Sequence, residues 1–329
     1  MMPVRWGILG VAGINAAMVP ALQASDSAEL VGIASRDLAR AQTAAEGYGI
    51  EAFDGYDALL ADPRIEAIYL PVPNAQHAEW AIRAAESGRH VLCEKPMAVT
   101  EPEARAMAAA ASEHGVLLAE AFMYAQHPRF ATIRTLIADG VIGPVRSIHT
   151  VFTFDASDEL DHSGFRGAPG SGAIYDVGCY AVHASRLLLD AEPEAITAHA
   201  QASEMHGGID MSTALLMEFP GGVAATAQVG MWNADQDTIE ITGSRGRITV
   251  PHAFLCGVDE GDFLLTVGET TEVVVVPAID HYVAQVERFS AAVRGEIALA
   301  FAPEDAIRGA RILEAASVAW RERRRIPLV

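Results

Sequence analysis

Cysteine is scarce in this sequence, with Cys93, Cys179 and Cys256 the only three among 329 residues. They are odd in number, lie far apart, and lack the spacing of metal ligands. This pattern argues against a disulfide framework and against a structural zinc site. We expect three reduced thiols, mostly in the core, and no bound metal.

Positive charge is also scarce, with 23 lysines and arginines against 43 acidic residues and a formal net charge of -20. Such a surface disfavours nucleic acid or an anionic membrane as a partner. The basic run Arg321–Arg325 is short and is expected to end a solvated helix. No apolar run approaches the roughly 18 residues that span a bilayer, and the N-terminus lacks a signal-peptide layout. We therefore expect a cytoplasmic protein without nucleic-acid or membrane partners.

The chain has enough hydrophobic sequence, 51% of its residues, to bury a sizeable core, and its length favours two domains. Val4–Gly10 is typical of a buried parallel strand, and the six residues Gly10–Asn15 lead into a helix. This turn is a degenerate dinucleotide fingerprint, because alanine and asparagine stand where its second and third glycines belong. An ordinary strand-to-helix turn is the alternative. The candidate cofactor-binding residues here are Gly10, Ala12, Gly13 and Ile14.

A second strand, Leu30–Ala34, ends in Ser35-Arg36-Asp37, about one βαβ unit after the glycines. An acidic residue at this place would bind the ribose hydroxyls of NAD, whereas a serine hydroxyl and a guanidinium suit the 2′-phosphate of NADP. For Asp37 we favour a helix N-cap. The sequence therefore predicts NADP as cofactor, with Ser35 and Arg36 as ligands and NAD still possible.

Strands and helices continue to alternate up to about residue 122. Repeated βα units of this length predict a doubly wound parallel sheet. The predicted strands are Ala67–Leu70, His90–Cys93 and Val116–Ala119, and the predicted helices are Tyr56–Leu60, Ala78–Ala85 and Glu103–Glu113. We expect residues 1–122 to form a dinucleotide-binding Rossmann domain.

Beyond residue 122 the hydrophobic period changes to that of an α+β domain with a large, mostly antiparallel open sheet. We expect residues 123–329 to bind substrate and mediate oligomerisation, and the C-terminal helix could pack back on the first domain. The predicted strands include Val145–Phe154, Ala214–Phe219, Val223–Val229 and Thr238–Thr242. The predicted helices are Pro128–Ile137, Ala173 to about Leu189, His281–Val293 and Pro303–Arg323, with a glycine-rich loop at Gly164–Gly172.

Glu94-Lys95-Pro96 follows the strand His90–Cys93, at the edge of a parallel sheet where ligands bind. Lys95 is the first candidate for chemistry, and Glu94 and Lys95 are both candidate cofactor-binding residues. The alternative is a solvated charged pair in an ordinary strand-to-helix loop. Pro73, Asn74 and His77 follow the preceding strand and could line the cofactor cleft. An N-cap role for Asn74 and a surface position for His77 are the alternatives.

The combination of the glycine turn, Glu94-Lys95-Pro96 and Asp176-x-Gly178-x-Tyr180-x-x-His183 resembles the Gfo/Idh/MocA oxidoreductases over essentially the whole chain. Within that family it is most similar to the branch of glucose-fructose oxidoreductase, NADP-dependent xylose dehydrogenase and dimeric dihydrodiol dehydrogenase. Many other members have His at the position of Tyr180 and Asp at that of His183. We therefore do not expect the Asp-His pair of the inositol dehydrogenases here.

The resemblance implies hydride transfer between nicotinamide and a carbon of a sugar or polyol, with Lys95 and Tyr180 at the reacting oxygen. A phenol can take the proton of an alcohol only if a nearby cation favours the phenolate, and Lys95 would supply that cation. Asp176 could hydrogen-bond the sugar or orient Lys95. In one continuous helix, spacings of four and seven residues would place Asp176, Tyr180 and His183 on one face. Tyr180 with its hydroxyl in water, and His183 as a core or surface histidine, are the structural alternatives.

The resemblance also implies a substrate pocket built from the second domain. Its candidate residues, besides Lys95, Asp176, Tyr180 and His183, are Tyr124, Phe154 and Arg166, and His127 is a further possibility. For Tyr124 and His127 we favour packing. Between those two residues the chain has Ala125-Gln126, where relatives often carry an aromatic or basic pair, so substrate identity does not transfer.

Three functions remain open from the sequence. The leading one is an NADP-dependent sugar or polyol dehydrogenase, and the second is a ketoreductase of a nucleotide-linked keto-sugar. The third is a non-catalytic sensor, because fold does not fix function. A sensor has no need of a proton-transfer pair, so Lys95 and Tyr180 together argue against it. We also expect a homo-oligomer, a dimer or a dimer of dimers, because the apolar residues of Ala214–Val229 and Val273–Val276 need cover.

Overall fold

The computed structural model describes residues 2–157 and 167–328, and the chain divides into two compact units. The first unit comprises Met1–Met123 and Tyr282–Ala310, and the second comprises Tyr124–His281 and Arg311–Val329. Each unit is built around one sheet. The predicted combination of a parallel sheet and a mostly antiparallel one is confirmed.

The sheet of the first unit has six parallel strands in the order β3-β2-β1-β4-β5-β6. Because β2 and β4 flank β1 on opposite sides, the strand order reverses beside β1, and ligands bind parallel sheets at such a point. The strands are β1 Val4–Leu9, β2 Ala28–Ser35, β3 Glu51–Asp54, β4 Ala67–Leu70, β5 His90–Cys93 and β6 Leu118–Glu120. The helices are α1 Asn15–Ala24, α2 Leu38–Tyr48, α3 Tyr56–Ala61, α4 His77–Glu86, α5 Glu101–Glu113 and α9 His281–Val293.

Helices cover both faces of this sheet. Ile68 and Leu70 of β4 lie in one apolar cluster, which includes residues of α3, α4 and α5. Tyr69, between them in the strand, lies in the other, together with residues of α1 and α9. Alternate strand residues point to opposite faces, so both must be apolar for the strand to be buried. Burial of each such side chain contributes about 1.5–3 kcal/mol.

Helix α9 is fixed to this unit by packing and by charge. The ring of Phe289 lies 5.3 Å from that of Trp6, and the Trp6 indole donates to Ser290 at 3.3 Å. Arg294, directly after the helix, pairs with Glu66 at 2.8 Å. This pairing holds the pKa of Glu66 down at about 2. Residues 282–310, late in the chain, are therefore part of the first unit.

The sheet of the second unit has nine strands in the order β14-β13-β12-β11-β7-β10-β9-β8-β15, and only the β10–β7 pair is parallel among the described residues. The strands are β7 Val145–Asp155, β8 Ala195–Ser203, β9 Ile209–Phe219, β10 Val223–Gly230, β11 Trp232–Gly243, β12 Gly246–Pro251, β13 Phe263–Val267, β14 Thr270–Val274 and β15 Ile326–Pro327. The helices are α6 Pro128–Ala138, α7 Ala173–Asp176, α8 Gly178–Leu189 and the later part of α10 Pro303–Glu322, whose residues 303–310 belong to the first unit.

The apolar surface of this sheet is smaller than the sequence indicated. Leu215 and Met217 on β9 are buried within the unit itself, whereas Leu216 between them is 38% exposed. Across the sheet Leu216 stands beside Thr226, which hydrogen-bonds His149 at 2.9 Å, so this outward row is largely polar. The expectation that most apolar residues of Ala214–Val229 need an external cover is therefore wrong.

Exposed apolar side chains instead concentrate near the edge strand β14, where Val273 is 59% and Val275 is 76% exposed. Edge strands with such residues favour association with another chain. The homo-oligomer remains a prediction, and light scattering should give at least a dimeric mass at micromolar concentration. The double variant Val273→Glu/Val275→Glu should lower that mass, and a monomeric unmodified protein would refute the prediction.

Candidate functional site

The turn between β1 and α1 leaves the helix N-terminus open to an anion. Gly10 has φ +139°, and a Cβ there would lie 3.3 Å from Val72 Cγ1, so glycine is required. Ile14, at the N-cap, makes no side-chain capping bond to the first backbone N–H groups of α1. Ala12 and Gly13 are at least partly exposed in the turn, and a Cβ on Gly13 would meet nothing within 4 Å. The first N–H groups of α1 bond back to carbonyls of the turn at 3.0–3.1 Å, so the positive end of the helix dipole and the exposed backbone of Ala12 and Gly13 are what a pyrophosphate would meet here.

Asn15 holds this turn in place from inside. Its side chain is buried, and its Nδ2 donates to the Gly10 carbonyl at 2.9 Å. Its Oδ1 is buried and has no hydrogen-bond partner among the described residues. A buried acceptor in need of a donor is costly, so a donor from a bound group or a water would fit here. Asn15, which stands where the fingerprint has its third glycine, therefore holds the turn by a hydrogen bond, whereas that glycine would allow close packing of helix and strand.

The end of β2 carries the residues predicted to select the cofactor. Asp37 caps α2 by accepting from Ala39 N at 2.9 Å, which confirms its N-cap role. Ser35 is buried, and its Oγ accepts from Asp37 N at 3.2 Å. Arg36 is exposed, and it lies near enough to Tyr56 for its charge to act on that hydroxyl. Burial raises the pKa of Tyr56, and the charge of Arg36 opposes that rise.

Arg40 is a second arginine at this place, and sequence reasoning missed it. Its side chain is exposed, and it donates to the Val11 carbonyl in the β1–α1 turn at 3.3 Å. Arg36 precedes α2 and Arg40 lies in its first turn, and the charges of both lower the pKa of Tyr56 against the effect of its burial. Together they surround the end of β2 with positive charge, as a 2′-phosphate requires.

Two carboxylates fix the backbone on either side of Lys95. Glu94 accepts from the Tyr69 hydroxyl at 2.5 Å and from Lys95 N at 3.2 Å. Glu120 accepts from Met97 N at 2.7 Å. Lys95 itself is half-buried, and its peptide bond to Pro96 is cis. The lysine is therefore presented at the carboxyl end of β5 by a loop that is hydrogen-bonded to its sheet, not by a freely solvated turn.

His77 ties the loop after β4 to the loop that carries Lys95. The imidazole is fully buried, with Nδ1 2.9 Å from the Pro96 carbonyl and Nε2 2.7 Å from the Val72 carbonyl. Burial lowers the pKa of His77, and the carbonyl partners oppose that effect. The surface position considered for His77 is wrong.

Asn74 is not a helix N-cap either, because α4 begins at His77 with Gln76 at its N-cap. Asn74 opens a short 3-10 turn, Asn74–Gln76, that follows Pro73, and both residues are half-buried. They therefore lie at the carboxyl end of β4, the edge at which the sequence placed the cofactor cleft.

In the second unit, Tyr180 lies in a buried aromatic cluster. Its ring centroid is 5.2 Å from those of Phe152 and Phe254 and 5.8 Å from that of Tyr124. The Tyr124 hydroxyl and His183 Nδ1 are 2.5 Å apart, and both side chains are buried. Tyr180 is also buried, so the alternative of a tyrosine with its hydroxyl in water is wrong. The cluster holds the ring of Tyr180 in place.

Packing is confirmed for His127, as it is for Tyr124 in this cluster. His127 caps α6 by accepting from Arg129 N at 3.2 Å, and it is buried. Burial first, and then the charge of Arg129, lower the pKa of His127 to about 4. Arg129 is itself fully buried and donates to the carbonyls of His252 and Ala253, both at 2.6 Å. This part of the unit is scaffold.

The predicted single helix from Ala173 to Leu189 is interrupted at Val177, whose φ of -121° ends α7. Gly178 permits the break, because a Cβ there would lie 3.3 Å from the Ala173 carbonyl. Asp176 is therefore the last residue of α7, while Tyr180 and His183 share a face of α8. The expectation that all three lie on one helix face is wrong.

Two members of the aromatic cluster, Phe152 and Phe254, were not found from the sequence. Phe152 lies on β7, two residues before the predicted Phe154 and hence on the same strand face, and the alternation of β7 could have indicated it. Phe154 is half-buried. Phe254 follows β12 in a loop, and no local pattern points to it. Arg166, with Phe165, lies outside the described residues.

Across 2–157 and 167–328, no group of three or more His, Cys, Asp or Glu side chains could hold a metal ion. In the same ranges no helix is both long and apolar enough to cross a membrane. Cys93, Cys179 and Cys256 are all buried, as expected of core thiols. The first unit thus carries a candidate nucleotide-binding edge, and the second unit, taken by itself, carries an aromatic cluster around Tyr180.

Comparison with known proteins places both units in one family. Residues 4–122 match the Gfo/Idh/MocA oxidoreductase family, NAD-binding Rossmann fold, and residues 130–249 match the Gfo/Idh/MocA C-terminal domain. The chain is 40% identical over 304 residues to an uncharacterized oxidoreductase of Rhizobium meliloti, covering 88% of this chain and 89% of the relative. It is 36% identical over 251 residues to a D-xylose 1-dehydrogenase (NADP(+)) of Haloferax volcanii, covering 76% of each.

A dTDP-3,4-didehydro-2,6-dideoxy-alpha-D-glucose 3-reductase of Actinomadura kijaniata is 33% identical over 323 residues, covering 97% of this chain and 96% of that protein. The structure of a 3-ketoreductase from the same organism with NADP and TDP-benzene has a TM-score of 0.91 at 32% identity, covering 96% and 98%. Other structures of that ketoreductase carry a lysine replaced by alanine or glutamate, or a tyrosine replaced by phenylalanine. The chain therefore belongs to the Gfo/Idh/MocA family and is an oxidoreductase with an NAD(P)-binding Rossmann domain.

Proposed function

We propose that this protein is an NADP-dependent oxidoreductase that interconverts an alcohol and a carbonyl on a sugar or polyol, with Lys95 and Tyr180 as its proton-transfer pair. The observation that carries the proposal is the loop after β5, where Glu94 and Glu120 fix the backbone around a half-buried Lys95. That loop stands at the carboxyl edge of an NAD(P)-binding sheet. A lysine on a backbone held this way is positioned to act on a bound substrate, unlike a solvated surface lysine.

When bound, the nicotinamide supplies or accepts the hydride. The protein must then move one proton at the same carbon's oxygen, and we assign that step to the Tyr180 hydroxyl. The Lys95 ammonium favours the phenolate and orients the oxygen. Asp176 would hydrogen-bond a neighbouring hydroxyl of the sugar. The Gly10 turn, with the uncapped α1 N-terminus, would hold the pyrophosphate.

A second candidate is reduction of a nucleotide-linked keto-sugar. It is favoured by the Actinomadura relative, which matches 97% of this chain and is a reductase of such a compound. The same lysine and tyrosine would serve, with Tyr180 giving its proton to the product oxygen instead of taking one. The two candidates therefore differ in substrate and direction, not in the residues that move the proton.

The test is a substrate panel followed at the nicotinamide absorbance band. One arm uses NADP with aldoses, inositols and anhydrosugars, and the other uses NADPH with dTDP-linked keto-sugars. We expect turnover in the first arm, while turnover in the second alone would establish the ketoreductase. Binding of sugar without turnover in either arm, by calorimetry, would overturn both and indicate a sensor.

The position of Arg36 predicts the cofactor preference. Charge-assisted hydrogen bonds to a 2′-phosphate contribute about 1.5–3 kcal/mol, so NADP should bind about ten- to a hundredfold more tightly than NAD. Arg36→Ala should remove most of this preference in calorimetry, without weakening NAD. Arg105→Ala, an exposed arginine paired with Glu101 on α5, is the matched control and should leave the preference unchanged. Equal binding of the two cofactors by the unmodified protein would contradict the assignment.

A further inference from the structure

Asp210, on β9, is a buried carboxylate that no sequence pattern singles out. One of its oxygens accepts two hydrogen bonds, from Ile174 N at 2.7 Å and from the Thr213 hydroxyl at 2.8 Å. Ile174 is the second residue of α7. The carboxylate therefore holds the first turn of the helix that precedes Tyr180, and it does so from a rigid strand.

The backbone just before α7 leaves room for the Asp210 carboxylate. Gly172, the residue before α7, has φ +102°, and a Cβ there would overlap Asp210 Oδ1. Both the backbone conformation and the close approach require glycine. The glycine at the end of the glycine-rich run thus makes room for Asp210. Gly172 is needed for this close contact with β9, and not for flexibility of the loop.

From this contact to Tyr180 the chain has little freedom. Helix α7 has four residues, Val177 breaks it, and Gly178 starts α8 in close contact with the Ala173 carbonyl. Tyr180 follows in the first turn of α8, and its backbone N–H donates to the Val177 carbonyl at 3.2 Å. A shift of α7 at its Asp210 end would therefore be carried through the break to the tyrosine.

We infer that Asp210 is a positioning residue for Tyr180, and that it holds the tyrosine in its active pose only while its carboxylate is ionised. The inference rests on the function proposed above, because it assigns the proton step to Tyr180. An ionised carboxylate accepts both hydrogen bonds strongly, whereas the neutral acid must use part of the group as a donor. In this pocket the described neighbours, Ile174 N and the Thr213 hydroxyl, are donors. Protonation therefore weakens the hold on α7.

The charged groups around Asp210 set the pH at which this happens. Burial raises the pKa of Asp210 to about 6, while the two hydrogen bonds and the charge of Arg321 on α10 act against the rise. Tyr175 on α7 is also near, and its pKa is raised to about 12 by burial, by Glu314 and by Asp210, so it stays neutral. Activity should fall as the pH drops through about 6.

Stability moves in the other direction, which separates positioning from simple unfolding. A carboxyl whose folded pKa lies above its unfolded value binds more protons in the folded state. Its contribution to stability therefore increases as the pH falls from above 6 toward 4. Loss of activity near pH 6 that is relieved when Asp210 is changed could not be explained by Asp210-linked unfolding.

The experiment compares the pH profile of kcat in the unmodified protein with those of two variants. Asp210→Asn keeps the shape and an acceptor but cannot ionise, so the acid limb near pH 6 should disappear and kcat at pH 8 should fall about threefold to tenfold. Thr213→Val removes one donor and keeps the carboxylate, so its limb should move to higher pH. The KM for NADP should be unchanged in both, because Asp210 belongs to the second unit.

Hydrogen exchange of residues 173–183 at pH 8, measured by mass spectrometry, gives a readout that needs no substrate. We expect faster exchange in Asp210→Asn than in the unmodified protein, with β8 and β9 protected equally. Active enzyme with the same acid limb and the same exchange in Asp210→Asn would overturn the inference. Changed exchange in a protein that turns over none of the panel would overturn the proposed function and the role of Asp210 in catalysis, while leaving its hold on α7.

Discussion

Replacing Tyr180 by phenylalanine should lower kcat by about 10²- to 10⁴-fold, the usual contribution of a positioned acid or base. The phenylalanine ring can keep the contacts at 5.2 Å with Phe152 and Phe254, so the fold and the affinity for NADP should change little. An interaction needed only in the transition state affects kcat and kcat/KM together. Steady-state kinetics with the substrate found in the panel provide the measurement.

Tyr175→Phe is the control for that experiment. Tyr175 is a second buried tyrosine in the same segment, and its hydroxyl bonds Ser317 on α10. Loss of that hydroxyl removes a structural hydrogen bond worth about 1 kcal/mol and should reduce kcat less than fivefold. If both variants lost activity equally, the effect of Tyr180→Phe would be structural, and the assignment of the proton step would fail.

The pH profile gives a further check on Tyr180. Oxidation by the unmodified enzyme should rise toward alkaline pH as the proton-transfer pair loses its proton, and this limb should vanish in Tyr180→Phe. A limb that persists would assign the proton step to another group. His183, hydrogen-bonded to Tyr124 at 2.5 Å, would be the first to examine.

Much of the first unit could be predicted because its signals are local. Strands β4 and β5 are short apolar runs ended by Pro71 and by Glu94-Lys95-Pro96, and their observed bounds equal the predicted ones. Apart from His90 at the start of β5, every residue of the two strands is buried, so the apolar run defines the strand. The glycine turn is also a local signal, because the backbone conformation at Gly10 requires glycine.

Strand β3 had no such signal and was missed, and of helix α2 only the N-cap Asp37 was predicted. Only Ala41 and Ala45 of α2 are buried, and alanine contributes little contrast between a buried and an exposed helix face. Strand β3 has four residues at the sheet edge, of which only Phe53 is buried. Both elements are stabilised by their place beside β2, which the sequence does not display.

The errors at the site come from contacts between residues far apart in the chain. The spacing of Asp176, Tyr180 and His183 favours one continuous helix, but in the structure the helix is broken at Val177. Gly178 follows the break, and a glycine by itself is too weak a signal to predict one. His77 has two carbonyl partners, one of them 19 residues away at Pro96. Asp210 reaches Ile174 across 36 residues. Periodicity cannot reveal such pairs, because each depends on how strands and loops are arranged in the sheet.

Replacing Lys95 by alanine should reduce kcat about as strongly as Tyr180→Phe, by roughly 10²- to 10⁴-fold. The ammonium is expected to favour the phenolate form of Tyr180, and without it the tyrosine is a poor base at neutral pH. Lys95 is half-buried in a loop whose backbone is held by Glu94 and Glu120, so the loop itself should survive the substitution. Lys95→Arg keeps the positive charge but not its position, and it should recover only part of the activity.

The double variant Lys95→Ala/Tyr180→Phe tests whether the two residues act as one unit. If the lysine works through the tyrosine, its removal has no further effect once the hydroxyl is gone, and the double variant should be scarcely slower than the slower single one. Residues with independent roles would instead multiply their losses, to a combined factor of about 10⁴ or more. The measurement is kcat for all four proteins at one pH with saturating NADP. Multiplied losses would show that Lys95 acts on the substrate oxygen without passing through Tyr180, and the proposed pair would have to be abandoned.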